Sequence, residues 1–208
     1  MNPSRPTWLL FDLGGVLMDF AGPRDLPPLL TGVLAQATPD ELKLKMAHCA
    51  ATDGFERGTL SPEAFAEQFV REWQVALAPA EFLQRYVAWL RGLYPGADTL
   101  LAQLRAEGFR LACLSNTNAA HWERNEAMRW LQRTLDVAIG SHQLGLRKPE
   151  PAIFATALAR LQAAPDQVGY FDDLHANVAA ARAAGLQAHH VDGLADLRAR
   201  LRSLGWLA

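Results

Sequence analysis

Short apolar runs that end abruptly in polar residues are the most regular feature of this sequence. Each run has the length of a buried strand and lacks the polar alternation of a half-exposed strand. The clearest runs cover residues 8–11, 111–114 and 168–171. Helical patterns lie between and after them, at residues 98–107, 151–161 and 177–184. Strands that alternate with helices predict an α/β fold with a parallel sheet and helices on both of its faces.

Residues 20 to about 90 show a different pattern, with prolines at the start and no clear strand. Helical patterns cover residues 39–51, 62–73 and 79–91. Thr38 and Ser61 each precede a proline that suits the first position of a helix, so both can act as N-caps. We therefore expect a small helical insert after the first strand, with the chain returning to the main fold near residues 94–96.

The composition favours a globular protein that acts on a small molecule. Half of the 208 residues are hydrophobic, which is ample for a packed core, and the net charge is −2. We therefore expect no broad basic surface for nucleic acid. No apolar run is long enough to cross a membrane, and the first ten residues do not resemble a signal peptide. These features predict a soluble, cytoplasmic protein without a membrane partner.

The two cysteines, Cys49 and Cys113, do not suggest a zinc site, because they lie far apart and have no CxxC or Cys/His spacing. A disulfide between them is possible but not needed for a core of this size. Cys113 lies within an apolar run, where we expect a small buried hydrophobic residue.

Acidic residues follow two of the predicted strands directly. Asp12 ends the first run and precedes two glycines, Gly14 and Gly15, after Leu13, and Asp172 and Asp173 end the last run. In parallel α/β sheets, ligands bind beyond the carboxyl ends of the strands. A single acid there also fits a helix cap or a tight turn, but two adjacent acids repel each other unless a cation lies between them. Hard oxygen ligands favour Mg²⁺ over zinc.

Ser115, Asn116 and Lys148 supply the other polar groups at this edge. Ser115 and Asn116 follow a predicted strand, where a hydroxyl and backbone N–H groups can bind phosphate oxygens, although the pair also fits an ordinary turn. Lys148 precedes a proline-flanked helix. Such a lysine is usually a surface charge, but beside three carboxylates and a phosphate it would balance negative charge.

Four segments in this order resemble the motifs of the haloacid dehalogenase superfamily. They are FDLGGVLMD, LSNTN, LGLRKPEPAIF and FDDLHANVAAARAAG, and the match covers the whole chain. The resemblance implies a Rossmann-like core of residues 1–19 and 91–208 with a small helical cap of residues 20–90. The cap segment FERGTLSPEAF is similar to cap sequences of the same subfamily. LSNTN and LRKPE are most similar to the bacterial α-D-glucose-1-phosphate phosphatase branch.

The resemblance implies a role for each motif residue. Asp12 would be the nucleophile, and Ser115 and the backbone of Asn116 would bind the phosphoryl group. Lys148 would neutralise charge between Asp12 and the phosphate. Mg²⁺ would bind Asp12, the carbonyl of Gly14 and the paired acids, with Asp173 as the direct ligand and Asp172 acting through water or as a second ligand. The implied activity is Mg²⁺-dependent hydrolysis of a small phosphate monoester.

Gly14 departs from the family pattern. Most phosphatases of the family carry a second aspartate there, which protonates the leaving group and later activates water. A general acid typically contributes about 10²–10⁴-fold in rate. We therefore expect slow turnover or a leaving group that departs easily, such as a sugar 1-phosphate. Asp19, His121 and His175 are other possible proton donors, although structural roles are the more frequent assignment for such residues.

Two other functions are open. A 2-haloacid dehalogenase would use Asp12 against carbon and need no metal, which leaves the paired acids without a purpose. A catalytically silent binding or regulatory protein is supported by Gly14 alone. The substrate and the oligomeric state do not follow from the sequence, and the candidates for substrate selection are Phe20, Arg57 and Trp122.

Overall fold

The computed structural model describes residues 5–208 and contains a parallel sheet with helices on both faces, as predicted. The strands are β1 (Trp8–Phe11), β2 (Met18–Phe20), β3 (Leu90–Leu93), β4 (Arg110–Ser115), β5 (Val137–Gly140), β6 (Val168–Asp172) and β7 (Gln187–His190). Five of them form the sheet in the order β5-β4-β1-β6-β7, all parallel. The strand β1 is central, so the carboxyl ends of β1, β4 and β6 lie side by side.

The helices are α1 (Pro39–Ala47), α2 (Ala50–Glu56), α3 (Pro62–Trp73), α4 (Pro79–Ala88), α5 (Ala97–Ala106), α6 (Ala119–Arg124), α7 (Glu126–Thr134), α8 (Pro151–Leu161), α9 (His175–Ala183) and α10 (Gly193–Ser203). Alternate residues of β1 point to opposite faces of the sheet. Leu9 and Phe11 pack in a cluster with α5, α7 and α10, whereas Trp8 and Leu10 pack with α8 and α9. Both faces of the sheet are therefore covered.

The helices α1 to α4 follow β2 and share an apolar cluster built around Phe55, Phe65, Phe69 and Phe82. Thr38 and Ser61 cap α1 and α3 as predicted, since their side chains accept hydrogen bonds from backbone N–H groups of the first turn. The division of the chain at residues 20 and 91 into a core and a cap stays a prediction.

Three expected element bounds were wrong. The helix expected over 39–51 is two helices, because Cys49 is extended between α1 and α2. The helix expected to end at Arg91 ends at Ala88, and Arg91 lies in β3. The helix expected from Asn177 begins two residues earlier, at His175. A two-stranded antiparallel sheet of β2 and β3 at the ends of the insert was also missed.

Cys49 and Cys113 are both buried and free, so Cys113 is the small buried residue that was expected. Among the residues described, none of the helices combines the length and the apolar character that a bilayer crossing needs.

Candidate active site

Asp12 lies directly after β1 and is fixed by the sheet itself. Its backbone N–H donates to the carbonyl of Phe171 (2.8 Å), which extends the pairing of β1 with β6. The residue is only 8% exposed. Burial raises the pKa of Asp12 to about 7, although the neighbouring charge of Lys148 lowers it. A buried carboxylate of this kind needs a cation to stay ionised at neutral pH.

Lys148 lies between two carboxylates. Its Nζ is 2.9 Å from Asp12 Oδ1 and 2.7 Å from Asp172 Oδ2, and the side chain is almost completely buried. Burial lowers the pKa of Lys148, but the two carboxylates outweigh it and the pKa lies above its usual value. Lys148 is therefore a fixed positive charge rather than a solvated surface group.

The side chain of Asn116 positions Lys148 through its backbone. Asn116 Nδ2 donates to the Lys148 carbonyl (2.9 Å), and the Lys148 N–H donates to Asn116 Oδ1 (2.8 Å). The sequence motif assigned Asn116 a role through its backbone, so this side-chain role was missed. Ser115 is the last residue of β4, is buried, and lines a cavity at this edge of the sheet.

Asp172 is completely enclosed by hydrogen-bond donors. Its carboxylate accepts from Lys148 Nζ, the Tyr170 hydroxyl, the Leu174 N–H (2.8 Å) and Asn177 Nδ2 (3.0 Å to each oxygen). Burial alone would raise the pKa of Asp172, but Lys148 and these hydrogen bonds hold it below its usual value. Asn177, in the first turn of α9, therefore helps to hold the Asp172 carboxylate in place.

Asp173 lies against the turn that follows Asp12. Gly15 has a φ of +75°, and a Cβ atom at Gly15 would come within 2.5 Å of Asp173 Oδ2, so only glycine fits there. Burial and the charge of Asp172 raise the pKa of Asp173. Oxygen atoms of Asp12, Asp172 and Asp173 all lie within 4.8 Å of one another, a spacing that suits one cation.

A cavity of about 950 Å³ opens above these residues, within the size range of small-molecule sites. Its base is formed by the carboxyl edge of the sheet, with Asp12, Ser115, Lys148 and Asp173. Residues from the insert form much of the opposite wall, among them Phe20, Ala21, Asp40, Leu42, Glu56 and Tyr86. The insert therefore closes over the polar groups of the sheet.

Of the three alternative proton donors, His121 lines the cavity, but both of its ring nitrogens already have hydrogen-bond partners. His121 Nε2 donates to the Tyr86 carbonyl (2.8 Å), its Nδ1 accepts from Asn118 Nδ2 (3.2 Å), and burial lowers its pKa to about 4. It is therefore neutral at pH 7 and already hydrogen-bonded through both nitrogens. Asp19 pairs with Arg91 (3.8 Å), and His175 stacks on His190, both outside the residues that line the cavity.

Of the three candidates for substrate selection, Phe20 lines the cavity. Trp122 is buried in the core cluster beside the sheet. Arg57 forms ion pairs with Asp53 and Glu150 and is not among the described residues that line the cavity, although its neighbour Glu56 is.

Sequence reasoning missed Glu56, Tyr86 and Arg147, which line the cavity, and the contact of Tyr170 with Asp172. The contact between Tyr170 and Asp172 could have been predicted from the sequence, since residues two apart in a strand point to the same side. The positions of Glu56 and Tyr86 depend on how the insert folds over the sheet, which no local pattern encodes, whereas Arg147 directly precedes Lys148.

Residues 7–185 match the family described as haloacid dehalogenase-like hydrolase. The chain is 34% identical over 100 residues to a phosphoglycolate phosphatase of Cereibacter sphaeroides, covering 48% of this chain and 45% of that protein. It is 29% identical over 184 residues to a phosphoglycolate phosphatase of Xanthomonas campestris pv. campestris, covering 87% and 80%. The mouse protein acyl-CoA dehydrogenase family member 10 is 27% identical over 190 residues, which are 88% of this chain and only 18% of the mouse protein. The chain thus spans less than half of two of these relatives.

Solved structures show the same fold. A haloacid dehalogenase family enzyme from Bacteroides thetaiotaomicron, in complex with magnesium and inorganic phosphate, has a TM-score of 0.73 and 21% identity, covering 89% of this chain and 94% of that one. An L-2-haloacid dehalogenase has a TM-score of 0.67 and 17% identity, covering 97% and 100%. At these identities the likeness concerns the fold and does not separate the two activities.

Proposed function

Since the chain belongs to the haloacid dehalogenase-like hydrolase family, we propose that it is a Mg²⁺-dependent phosphatase of small phosphate monoesters, with Asp12 as its nucleophile. One observation carries the proposal: three carboxylates lie within reach of one cation, and a buried lysine bridges two of them. The relatives named as phosphoglycolate phosphatases support the reaction class. A dehalogenase that attacks carbon has no use for the paired acids.

The donor set fits Mg²⁺, because it consists of carboxylate oxygens, the hard ligands that this ion prefers. Asp12 and Asp173 are the proposed carboxylate ligands, together with the carbonyl of Gly14. Asp172 is less suited to direct binding, since Lys148, Tyr170, Leu174 and Asn177 already occupy its oxygens. When bound, the ion would neutralise charge on the phosphoryl oxygens and hold Asp12 ionised despite its burial.

The reaction has two steps at Asp12. In the first, a bond forms between an Asp12 oxygen and phosphorus while the bond from phosphorus to the leaving oxygen breaks, and that oxygen takes a proton from water. In the second, water adds its oxygen to phosphorus, the bond to Asp12 breaks, and phosphate leaves with the carboxylate restored, while the proton that this water loses neutralises the hydroxide left by the first step. Lys148 balances the phosphoryl charge, and Ser115 can donate to a phosphoryl oxygen.

A sugar phosphate such as a hexose 1-phosphate is the finer substrate proposal. Its leaving oxygen belongs to a hemiacetal and is more acidic than an ordinary alcohol, so it depends less on a proton donor at Gly14. The similarity of LSNTN and LRKPE to the α-D-glucose-1-phosphate phosphatase branch supports this choice. That branch assignment stays a prediction, as do the cytoplasmic location and the absence of a nucleic-acid partner.

The test is hydrolysis of p-nitrophenyl phosphate by the purified protein with and without Mg²⁺, beside the variant Asp12→Asn. We expect Mg²⁺-dependent release of nitrophenolate and none from the folded variant, because the amide removes the nucleophile with little change in volume. Equal rates in the two proteins would contradict the mechanism. Halide release from 2-chloropropionate without Mg²⁺ would indicate a dehalogenase, and phosphate binding without turnover would indicate a binding protein.

A further inference from the structure

Glu56 is held at the wall of the cavity by a hydrogen bond to its backbone and by an ion pair of its side chain. It is the last residue of α2, and its carbonyl accepts a hydrogen bond from Ser141 Oγ (2.6 Å), next to the sheet. Its side chain is only 16% exposed. Its Oε2 is 2.7 Å from Arg147 Nη2, and Arg147 directly precedes Lys148, so Glu56 lies near the lysine of the candidate site. An acidic side chain of the insert therefore lines the cavity beside the segment that carries Lys148.

The basic side chains of this cavity are already neutralised by acids. Among the described residues that line it, these are Arg147 and Lys148. Arg147 Nη1 is 2.7 Å from Asp53 Oδ1, and its Nη2 is 2.7 Å from Glu56 Oε2. Lys148 is held by Asp12 and Asp172. A carboxylate on the leaving group would meet Glu56 without a free cation in this part of the structure to pair with.

Tyr86 complements Glu56 as a partner for hydroxyl groups. Its hydroxyl accepts a hydrogen bond from Asn118 Nδ2 (3.0 Å), which leaves its own hydrogen to donate. The ring of Tyr86 lies 6.1 Å from that of Phe55, the residue before Glu56, and both Glu56 and Tyr86 line the cavity. A hydroxyl both donates and accepts, so it can bind Glu56 and Tyr86 together, whereas a carboxylate can only accept.

We infer that Glu56 and Tyr86 select an uncharged, hydroxyl-bearing leaving group and that Glu56 rejects a leaving group with a carboxylate. The inference rests on the proposed phosphatase function and specifies its substrate class. It also sets this chain apart from relatives named for phosphoglycolate, whose leaving group carries a carboxylate.

Two substrates of equal length test whether the site discriminates between a carboxylate and a hydroxyl group. They are phosphoglycolate and 2-hydroxyethyl phosphate, which differ by a carboxylate in place of a CH₂OH group. We would measure kcat/KM for both at pH 8 with Mg²⁺ and use p-nitrophenyl phosphate as a reference. Since like charges brought together in a binding site are strongly unfavourable, we expect the wild type to prefer 2-hydroxyethyl phosphate by about tenfold or more.

Glu56→Gln keeps the shape of the side chain and removes its charge, so it should bring the ratio of the two substrates to within about threefold. Glu67→Gln, an exposed change on α3 outside the described cavity wall, should leave the ratio unchanged. Tyr86→Phe should lower kcat/KM for 2-hydroxyethyl phosphate by raising KM, and it provides a second variant if Glu56→Gln does not fold.

Three results would overturn the inference. They are a wild-type preference for phosphoglycolate, equal rates on the two substrates, and a tenfold preference that survives Glu56→Gln in a folded protein. If p-nitrophenyl phosphate is still hydrolysed in an Asp12-dependent manner, each of them leaves the proposed function standing. If none of the three substrates is hydrolysed, the proposed function fails and the inference fails with it.

Discussion

Gly14 stands at the position where most phosphatases of the family carry an aspartate that protonates the leaving group. The structure shows that the position is not reserved for glycine by its backbone, since Gly14 lies outside the left-handed region that Gly15 occupies. A Cβ atom there would meet Phe20 Cβ at 3.5 Å, an ordinary van der Waals contact. An acidic side chain can therefore be added without backbone strain.

Gly14→Asp should restore a proton donor beside Asp12. We expect the gain in kcat/KM to be about tenfold or more for alkyl phosphates, whose leaving groups need a proton, and small for p-nitrophenyl phosphate, whose leaving group does not. The measurement is kcat/KM across phosphate esters of increasing leaving-group pKa, with urea unfolding as the check on the fold. A uniform gain or no gain in a folded, Mg²⁺-binding variant contradicts this role. If every substrate gave a burst of phosphoenzyme followed by the same steady rate, the function missing at Gly14 would be activation of water rather than protonation of the leaving group.

Asp173 and Asp172 should respond differently to loss of charge. Asp173→Asn should weaken Mg²⁺ binding more than Asp172→Asn, because Asp172 is already satisfied by protein donors whereas Asp173 faces the turn at Gly15. Asp172→Asn should instead cost about 3 kcal/mol of folding stability, since it breaks a buried ion pair with Lys148. Mg²⁺ titration and urea unfolding of both variants separate the two effects. Equal loss of affinity would show that the choice of direct ligand is wrong.

Among the elements, α2 has the most consequential position, because its C-terminal end meets the segment that carries Lys148. Arg57 binds the Gly145 carbonyl (3.2 Å) and pairs with Glu150, and Arg147 binds back to α2. Gly58 follows directly, with a φ of +71°, and a Cβ atom there would lie 2.3 Å from the His142 carbonyl oxygen. The contact between insert and sheet is therefore close enough to admit only glycine.

Gly58→Ala tests this contact, and Gly145→Ala is its matched control. Gly145 has nearly the same φ, +70°, but open space around the position of a Cβ atom. The control should lose about 1–2 kcal/mol through backbone strain alone. Gly58→Ala should lose about 1–3 kcal/mol more, and kcat/KM should fall as α2 and Glu56 move away from the site. Equal losses of stability, measured by urea unfolding, would mean that the contact with His142 is not a constraint.

The same elements show where local sequence patterns stop being informative. The break between α1 and α2 lies at Cys49, which is neither glycine nor proline and whose Sγ accepts a hydrogen bond from Trp73 Nε1 (3.3 Å), 24 residues away. The strands β2 and β3 have three and four residues, and each is defined by the other rather than by an apolar run. Tertiary contacts determine these features, so hydrophobic periodicity and secondary-structure propensity could not predict them.

Across the whole molecule, the sheet and the site at its carboxyl edge could be predicted from the sequence, because parallel strands place their last residues at the same edge. Asp12, Ser115 and Asp172 end or follow adjacent strands, so the topology alone brings them together. Lys148 was assigned by resemblance, and the structure shows it between Asp12 and Asp172. In the opposite wall the sequence indicated Phe20 alone, because the placement of the other side chains depends on the insert's own packing.

A partly buried histidine should make the stability of the molecule depend on pH. His189 stacks on Phe171 and meets Trp206 edge to face, and its partial burial, with the charges of Arg200 and Arg182, lowers its pKa to about 4. The unfolded chain, with an ordinary value near 6.5, therefore takes up the proton first. The contribution of His189 to stability is complete above pH 6.5 and is lost as the pH falls towards 4, with about 2 kcal/mol gone at pH 5.

His189→Phe keeps the ring stacking and removes this titration. The raised pKa of Asp12 has the opposite effect, since a carboxyl that protonates early in the folded state favours folding as the pH falls. The wild-type curve alone therefore does not isolate the histidine, and the quantity to compare is the loss of unfolding free energy between pH 8 and pH 5. That loss should be about 2 kcal/mol smaller in His189→Phe than in the wild type, by urea unfolding, whereas replacing the exposed His48 by Gln should leave it unchanged. Identical losses in all three proteins would show that His189 is protonated equally in the folded and unfolded states.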